Sequence, residues 1–310
     1  MATHTTDMNS TPTAGAAGTW QLGDRTVNRM GFGAMRLPGM PWDEKPRDRA
    51  DAIAVLRRAI ELGVNHIDTA SFYFVPTRSV NELISTALQP YPDDLVITTK
   101  VGPARSRDGA FEYARPEQLR GQVEENIRQL GLDHLDVVNL RCGAAMDKVP
   151  GSIADHFGAL AELRDAGLIR HLGVSNVVAE QLTEAMSIAP VVCVQNRYGL
   201  TERQDEDLVE LCGRHRIAFV PFFAVATSLP GATPDGSHIA TGQAEVAKVA
   251  EAHGATPAQV RIAWTLHRGE HVLAIPGTGT RAHLEENIAA GGLRLSTDEL
   301  ALLDGITEAG

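Results

Sequence analysis

An aspartate at position 68, a tyrosine at 73 and a lysine at 100 have the types and spacing to handle a proton. The stretch HIDTASFYF, residues 66–74, begins as a short, largely apolar run of the kind that forms a buried strand. A lone carboxylate in such a strand is costly, because a charge is being taken out of water. Lys100 closes another apolar run, LVITTK at 95–100, and an ion pair with it would offset that cost. A free tyrosine titrates near pH ~10. A neighbouring ammonium stabilises the phenolate. Tyr73 would then donate a proton to a carbonyl oxygen, or accept one from an alcohol, near neutral pH. The competing reading is a buried structural ion pair with Tyr73 merely packing beside it. These three residues alone leave both readings open.

Positioning such a group requires a frame, and the chain has a repeating one. Short β-like runs fall at 30–35, 66–70, 95–100, 135–141, 171–176, 191–196, 218–223 and 273–278. Amphipathic helical stretches lie between them, such as RADAIAVLRRAIELG, PEQLRGQVEENIRQLG, SIADHFGALAELRDAG and EQLTEAMSIA. Several end in Gly, a good C-terminal stop. Eight strands alternating with helices predict an α/β fold, a (β/α)8 TIM barrel. The alternative is an open doubly wound sheet, for which GFGAMR at 31–36 mimics part of a dinucleotide fingerprint but lacks the third Gly. TWQLGDRTVNRM at 19–30 reads as a hairpin turning at Gly23-Asp24, a plug for the barrel bottom. The stretch 224–241 reads as a long functional loop, and STDELALLDGITE as a capped C-terminal helix. Residues 1–18 are small and polar and read as a disordered tail, leaving 19–310 as a single barrel domain.

The strands share a second feature: they are apolar until their last residues, then turn polar. Those ends are Asp68, Lys100, Arg141, Ser175 with Asn176, Gln195 with Asn196, and Thr278. In a (β/α)8 barrel they converge on the one face where active sites form. A single polar strand end also suits a helix cap, and for Ser175-Asn176 that reading has equal weight.

Composition narrows the partners. The net charge of −11 argues against nucleic acid and anionic membrane surfaces, while leaving room for one local basic pocket. Cys142, Cys193 and Cys212 are odd in number, lie in or beside apolar segments and have no metal-ligand spacing, which suits a reduced cytoplasmic setting. The first residues lack the basic start and apolar core of a signal peptide, and no run is long enough to span a membrane.

The motif DTASFY resembles the D-T-A-x-x-Y signature of the aldo-keto reductases. TTK on the third strand, GVSN on the fifth, VQNRY on the sixth and IPGTGTRAHLEEN on the eighth are similar to further family motifs. They run in order over residues 19–306, and their spacing is most like that of bacterial pyridoxal reductases. The resemblance implies hydride transfer between NADPH and a small-molecule carbonyl, without a metal. It makes Tyr73 the general acid, tuned by Lys100 and Asp68. Ser175, Asn176 and Gln195 would hold the nicotinamide carboxamide, and Phe219 would stack on the ring. Pro221, Phe222 and Phe223 would line the pyrophosphate path, with Gly33 and Met35 also at the cofactor. Thr278, Thr280 and Arg281 would grip the 2′-phosphate, and Glu286 and Asn287 the adenine.

Three positions depart from the family pattern. The residue at the end of the fourth strand is Arg141 in place of a usual His. Phe74 replaces the Gly that usually follows the catalytic Tyr. Gly279 stands where a basic residue often follows I-P-x-[ST]. The expected activity is NADPH-dependent reduction of an aldehyde or ketone, with pyridoxal as a candidate, since Arg141 would favour an anionic oxygen beside the carbonyl. Trp42, Phe72, Phe74 and Arg141 are the candidate substrate lining. A non-catalytic, redox-sensing NADPH-binding subunit is the alternative; a phosphate-binding lyase barrel would need a Gly-rich anion loop that AVATSLPGATPDG matches poorly.

Overall fold

A computed structural model describes residues 11–39, 47–75, 78–105, 111–143, 147–222, 224 and 242–306. The chain opens with a hairpin of β1 (Thr19–Leu22) and β2 (Arg25–Asn28). The barrel strands are β3 (Phe32–Gly33), β4 (His66–Asp68), β7 (Val96–Val101), β10 (Leu135–Arg141), β11 (Ile169–Ser175), β12 (Val191–Gln195) and β13 (Ala218–Phe219). Two small antiparallel pairs, β5 (Phe74–Val75) with β6 (Arg78–Ser79) and β8 (Pro103–Arg105) with β9 (Phe111–Tyr113), lie in the loops after β4 and β7. Helices follow the strands: α1 (Arg49–Glu61), α2 (Val80–Leu88), α3 (Leu119–Leu130), α4 (Ala154–Asp165), α5 (Ala179–Ile188), α6 (Glu206–Arg214), α7 (Gln243–His253), α8 (Pro257–His267), α9 (Arg281–Ala289) and α10 (Thr297–Asp304).

The strands form one parallel sheet in the order β13-β12-β11-β10-β7-β4-β3. The eighth place is filled by single parallel bridges, Phe219 to Val272 on one side and Met30 to Ala274 on the other, so the sheet closes on itself as a (β/α)8 barrel. The expected eighth strand over 273–278 is therefore shorter and shifted. Pro276 has no N–H to extend the ladder. Backbones also crowd there: a Cβ on Gly33 would sit 2.5 Å from the Ile275 carbonyl oxygen, and one on Gly277 2.5 Å from that of Gly33.

Alternation along the strands sorts inside from outside. Val96, Val137, Cys193, Ala218, Val220 and Leu273 form one buried cluster with Leu22 and Val27 of the hairpin. Their chain neighbours Ile97, Val138, Val194, Phe219 and Val272 belong to the larger cluster shared with the helices. The first set fills the barrel and the second packs under the helical ring. The hairpin plugs the N-terminal strand ends as expected. Gly23 turns it with φ +67°, and a Cβ there would meet His171 Nε2 at 2.4 Å. Asp24 beside it accepts from His171 Nε2 at 2.6 Å and Arg170 Nη1 at 3.2 Å.

The segment expected to be disordered, 1–18, is ordered in its last part. Ala14–Ala17 form a 3-10 turn, Ala14 and Ala17 are buried, and the Ala14 N–H donates to the Leu62 carbonyl at 2.8 Å. Small apolar side chains fit against the barrel floor here, which low complexity in the sequence conceals. Residues 1–10, and all but Ala224 of the loop expected at 224–241, lie outside the described residues. The C-terminal helix is capped as expected: Ser296 Oγ accepts from the Glu299 N–H at 3.3 Å, and Glu299 Oε2 from the Ser296 N–H at 2.7 Å. Among the described residues, no helix is long and apolar enough to cross a membrane.

Candidate active site

Five adjacent strands each bring one polar side chain to the C-terminal mouth. Asp68 ends β4, Lys100 lies one residue from the end of β7, and Arg141, Ser175 and Gln195 end β10, β11 and β12. Register fixes their alignment, with Arg141 opposite Ser175 and Ser175 opposite Gln195. All five are buried.

Asp68 is the hub. Its oxygens accept from Lys100 Nζ at 2.7 and 2.6 Å, and Oδ1 also accepts from Gln195 Nε2 at 2.7 Å. Lys100 donates in addition to the Thr69 carbonyl at 3.1 Å. Burial alone pushes the Lys100 pKa down, but the Asp68 carboxylate and then Tyr73 more than reverse this, and it stands above its ordinary value. The lysine is a fixed cation.

Tyr73 sits in the turn after β4, half-buried, with its ring centroid 5.0 Å from Lys100 Nζ. Its backbone is pinned at both ends: the N–H donates to Ala70 O at 3.0 Å and the carbonyl accepts from Val80 N at 3.1 Å. Phe72 packs edge-on against it, centroids 5.1 Å apart. Phe72 and exposed Phe74 border a cavity shared with Pro103, Ala104 and helix α3.

Arg141 places its guanidinium carbon 5.3 Å from the Phe222 ring centroid, with Nη1 3.4 Å from Ser175 Oγ. Burial lowers its pKa, against the opposing influence of Tyr73, Cys142 and Asp68. An arginine so placed still carries its charge at any working pH.

Other expected cofactor residues divide. Gln195 Oε1 is buried with no hydrogen-bond partner among the described residues. Asn176 is less open: it adopts φ +60° and its Nδ2 donates to the Cys142 and Asp147 carbonyls at 3.1 and 3.0 Å. Glu286 is committed as well, its Oε1 accepting from Thr256 Oγ1 at 2.5 Å. Asn287 is buried on the same helix, and Thr278 Oγ1 accepts from the Thr280 N–H at 3.2 Å. Gly33 lies inside the barrel, Met35 is half-buried beyond it, and Pro221 is buried. Arg281, the first residue of α9, is exposed. Trp42 and Phe223 lie outside the described residues.

Phe219 is misplaced by the sequence reading. It is 0% exposed and points to the helices, edge-on to Tyr198 at 5.6 Å. The inward positions on either side of it are Ala218 and Val220. Phe222, half-buried and beside Arg141, is an aromatic ring at the mouth.

Two supporting networks escape the sequence reading. Thr69 Oγ1 donates to Asn81 Oδ1 at 2.8 Å, Asn81 Nδ2 to Asn126 Oδ1 at 3.0 Å, and Thr99 Oγ1 to the same oxygen at 2.7 Å. This ties β4 and β7 to α2 and α3 directly behind the ion pair. Asn196 Nδ2 donates to Asp205 Oδ2 at 2.7 Å, and Asp205 pairs with Lys148 across the loop after β10. Asn196 is visible in the sequence as a polar strand end, but not its partner; lone asparagines on helices, such as Asn81 and Asn126, give no signal that distinguishes them from solvated ones. Deeper in the barrel His66 is wholly buried, with Nε2 3.3 Å from Thr98 Oγ1. Burial, with a smaller push from Lys100 and against the pull of Asp68, lowers its pKa to about 4.

The Aldo/keto reductase family profile matches residues 29–308. Pyridoxine 4-dehydrogenase of Escherichia coli (strain K12) is 45% identical over 295 residues, covering 94% of this chain and 99% of that protein. An uncharacterized oxidoreductase of Schizosaccharomyces pombe is 38% identical over 304 residues, covering 96% of this chain and 93% of that one. Among solved structures, an aldo/keto reductase from Klebsiella pneumoniae in complex with NADP and acetate superposes with a TM-score of 0.74 at 28% identity, covering 92% of this chain and 94% of the other. A profile match over almost the whole barrel, together with these identities, establishes that the chain belongs to the aldo/keto reductase family.

Proposed function

We propose that the protein is an NADP(H)-dependent oxidoreductase that interconverts an aldehyde and its alcohol, with pyridoxal and pyridoxine as the fitting pair. The observation that carries this reading is Lys100, held as a cation by both oxygens of Asp68 and lying 5.0 Å from the ring centroid of Tyr73. The name of the Escherichia coli relative and the NADP bound in the Klebsiella structure point the same way.

The residues at the mouth fit a nicotinamide cofactor. Gln195 holds Asp68 with its N–H and keeps a buried carbonyl oxygen without a partner among the described residues. A buried acceptor left unpaired costs about 1–3 kcal/mol, so this position is suited to a donor such as a carboxamide N–H. Ser175 offers a hydroxyl beside it on the next strand. Phe222, in place of Phe219, has the exposure to stack on a flat ring. When bound, the nicotinamide supplies or receives the hydride.

The chain's own part is to place the carbonyl and manage its proton. Tyr73 Oη donates the proton to the carbonyl oxygen in reduction and takes it back in oxidation. Lys100 stabilises negative charge on that oxygen and on the phenolate, and Asp68 keeps Lys100 charged and in place. Arg141 supplies a fixed fork of donors for an anionic oxygen next to the aldehyde, such as the phenolic oxygen of pyridoxal. The test is NADPH oxidation with pyridoxal by the wild type and by Tyr73→Phe. We expect Tyr73→Phe to keep its fold and its NADPH affinity and to lose about 10²–10⁴-fold in kcat. Near wild-type kcat in that variant would mean that another group carries the proton.

A further inference from the structure

Gly279 is covered by an arginine from a distant part of the chain. A Cβ built on Gly279 would lie 2.6 Å from Arg47 Nη1 and 2.7 Å from its Cδ and Cζ. The guanidinium therefore occupies the volume that any side chain at 279 would need. Arg47 Nε is buried with no hydrogen-bond partner, and the guanidinium makes no ion pair among the described residues. A buried, uncompensated donor on a cation is costly unless an anion completes it.

The backbone of Arg47 is held in position. Its carbonyl accepts from Arg78 Nη1. The next residue, Asp48, caps α1 by accepting from the Ala50 and Asp51 N–H groups at 2.7 and 3.1 Å. Next to Gly279 in the chain, Thr280 caps α9 with its Oγ1 3.4 Å from the His283 N–H. Arg281 follows and borders a groove along α1 with Ala50, Ile53, Ala54, Arg57, Arg58 and Glu61. Arg47 thus stands over Gly279, the residue before the N-cap of a nine-residue helix whose first residue is a second arginine, Arg281. Helix N-termini favour phosphate, and the guanidinium fork matches phosphate oxygens in pairs.

We propose that Arg47 is a cofactor-specificity residue: with Thr280, Arg281 and the N-terminus of α9 it binds the 2′-phosphate of NADPH, and position 279 is glycine in order to admit it. This rests on the NADP(H) reading above.

The experiment measures dissociation constants by quenching of protein fluorescence for NADPH, NADH and adenosine 2′,5′-bisphosphate. The last probe carries the phosphate without the nicotinamide. Arg47→Gln keeps much of the bulk and removes the charge. We expect it to weaken NADPH and the bisphosphate roughly 10- to 100-fold, the usual worth of a charged hydrogen bond, with NADH changed less than about twofold. Gly279→Ala, which displaces the guanidinium, should give part of the same loss, and should add nothing in the Arg47→Gln background. Arg47→Lys should recover some affinity, since it restores the charge without the fork. If the wild type prefers NADPH and Arg47→Gln leaves the NADPH to NADH ratio unchanged, the role of Arg47 is wrong and the cofactor reading stands. If the wild type binds NADPH no better than NADH, the 2′-phosphate reading fails and this inference with it.

Discussion

The Lys100 ammonium is gripped by both oxygens of Asp68, at 2.7 and 2.6 Å, with the two residues only 2% and 4% exposed. Breaking such a pair on one side strands a buried charge, which costs about 3–5 kcal/mol. Lys100→Met should therefore destabilise the fold by about that much in urea unfolding. The double variant Lys100→Met with Asp68→Asn removes both charges and should recover most of the loss, leaving a strongly non-additive cycle. Additive losses would mean that the two residues contribute separately to the fold. Because the folded pKa of Lys100 lies above its ordinary value, the pair's stabilisation is fully present below the unfolded pKa of about 10.4 and is lost as pH rises through the folded value. Its contribution should be flat between about pH 6 and 9.

His66 works in the opposite direction. Its pKa falls to about 4 in the folded barrel, against about 6.5 in an unfolded chain. Between those values the unfolded state takes up a proton that the folded state refuses, so stability falls as pH drops. The span allows a loss of up to about 3 kcal/mol from this residue. His66→Gln should flatten the dependence of unfolding free energy on pH in that window. An unchanged slope would mean that carboxylates alone set the acid limit.

Phe219 and Phe222 should separate stability from cofactor binding. Phe219→Ala opens a cavity between the sheet and the helical ring beside Tyr198 and should cost about 3–5 kcal/mol, with the NADPH dissociation constant little changed at temperatures where it remains folded. Phe222→Ala should do the reverse: a small stability change, and weaker NADPH binding by about 0.5–1.5 kcal/mol, the worth of an aromatic pair beyond its buried area. Fluorescence titration beside thermal unfolding measures both.

That pair also marks how far the sequence is legible. The alternation of strands and helices is readable because each element has a clear period or stop, and the strand ends at the mouth stand out as polar residues closing apolar runs. Asp68, Lys100, Arg141, Ser175 and Gln195 all reach the mouth as that pattern implies. Within AFVPFF the pattern fails, because a barrel strand is apolar on both faces and its inward side carries no alternation to read. The pairing of Phe219 with Val194 and Val272 on the neighbouring strands fixes which phenylalanine turns outward. The approach of Arg47 to Gly279 is likewise a product of closure, since α1 and α9 are neighbours only once the first and last strands meet.

Arg141 offers the sharpest test of substrate. Its guanidinium carbon lies 5.3 Å from the Phe222 ring centroid and Nη1 lies 3.4 Å from Ser175 Oγ, which sets the fork at the mouth where an anionic acceptor would meet it. An aldehyde with an adjacent anionic oxygen supplies one; plain benzaldehyde does not. Arg141→Met should therefore lower kcat/KM for pyridoxal more than for benzaldehyde, by about 1.5–3 kcal/mol of transition-state stabilisation. Arg141→Lys should restore part of the difference, since it keeps the charge but loses the planar fork. Burial lowers the Arg141 pKa, yet an arginine does not deprotonate at working pH, so the effect should not vary between pH 6 and 9. If both aldehydes suffer equally, Arg141 supports the geometry of Ser175 and Tyr73 for any substrate, and any preference for pyridoxal must come from the walls around Phe72 and Phe74.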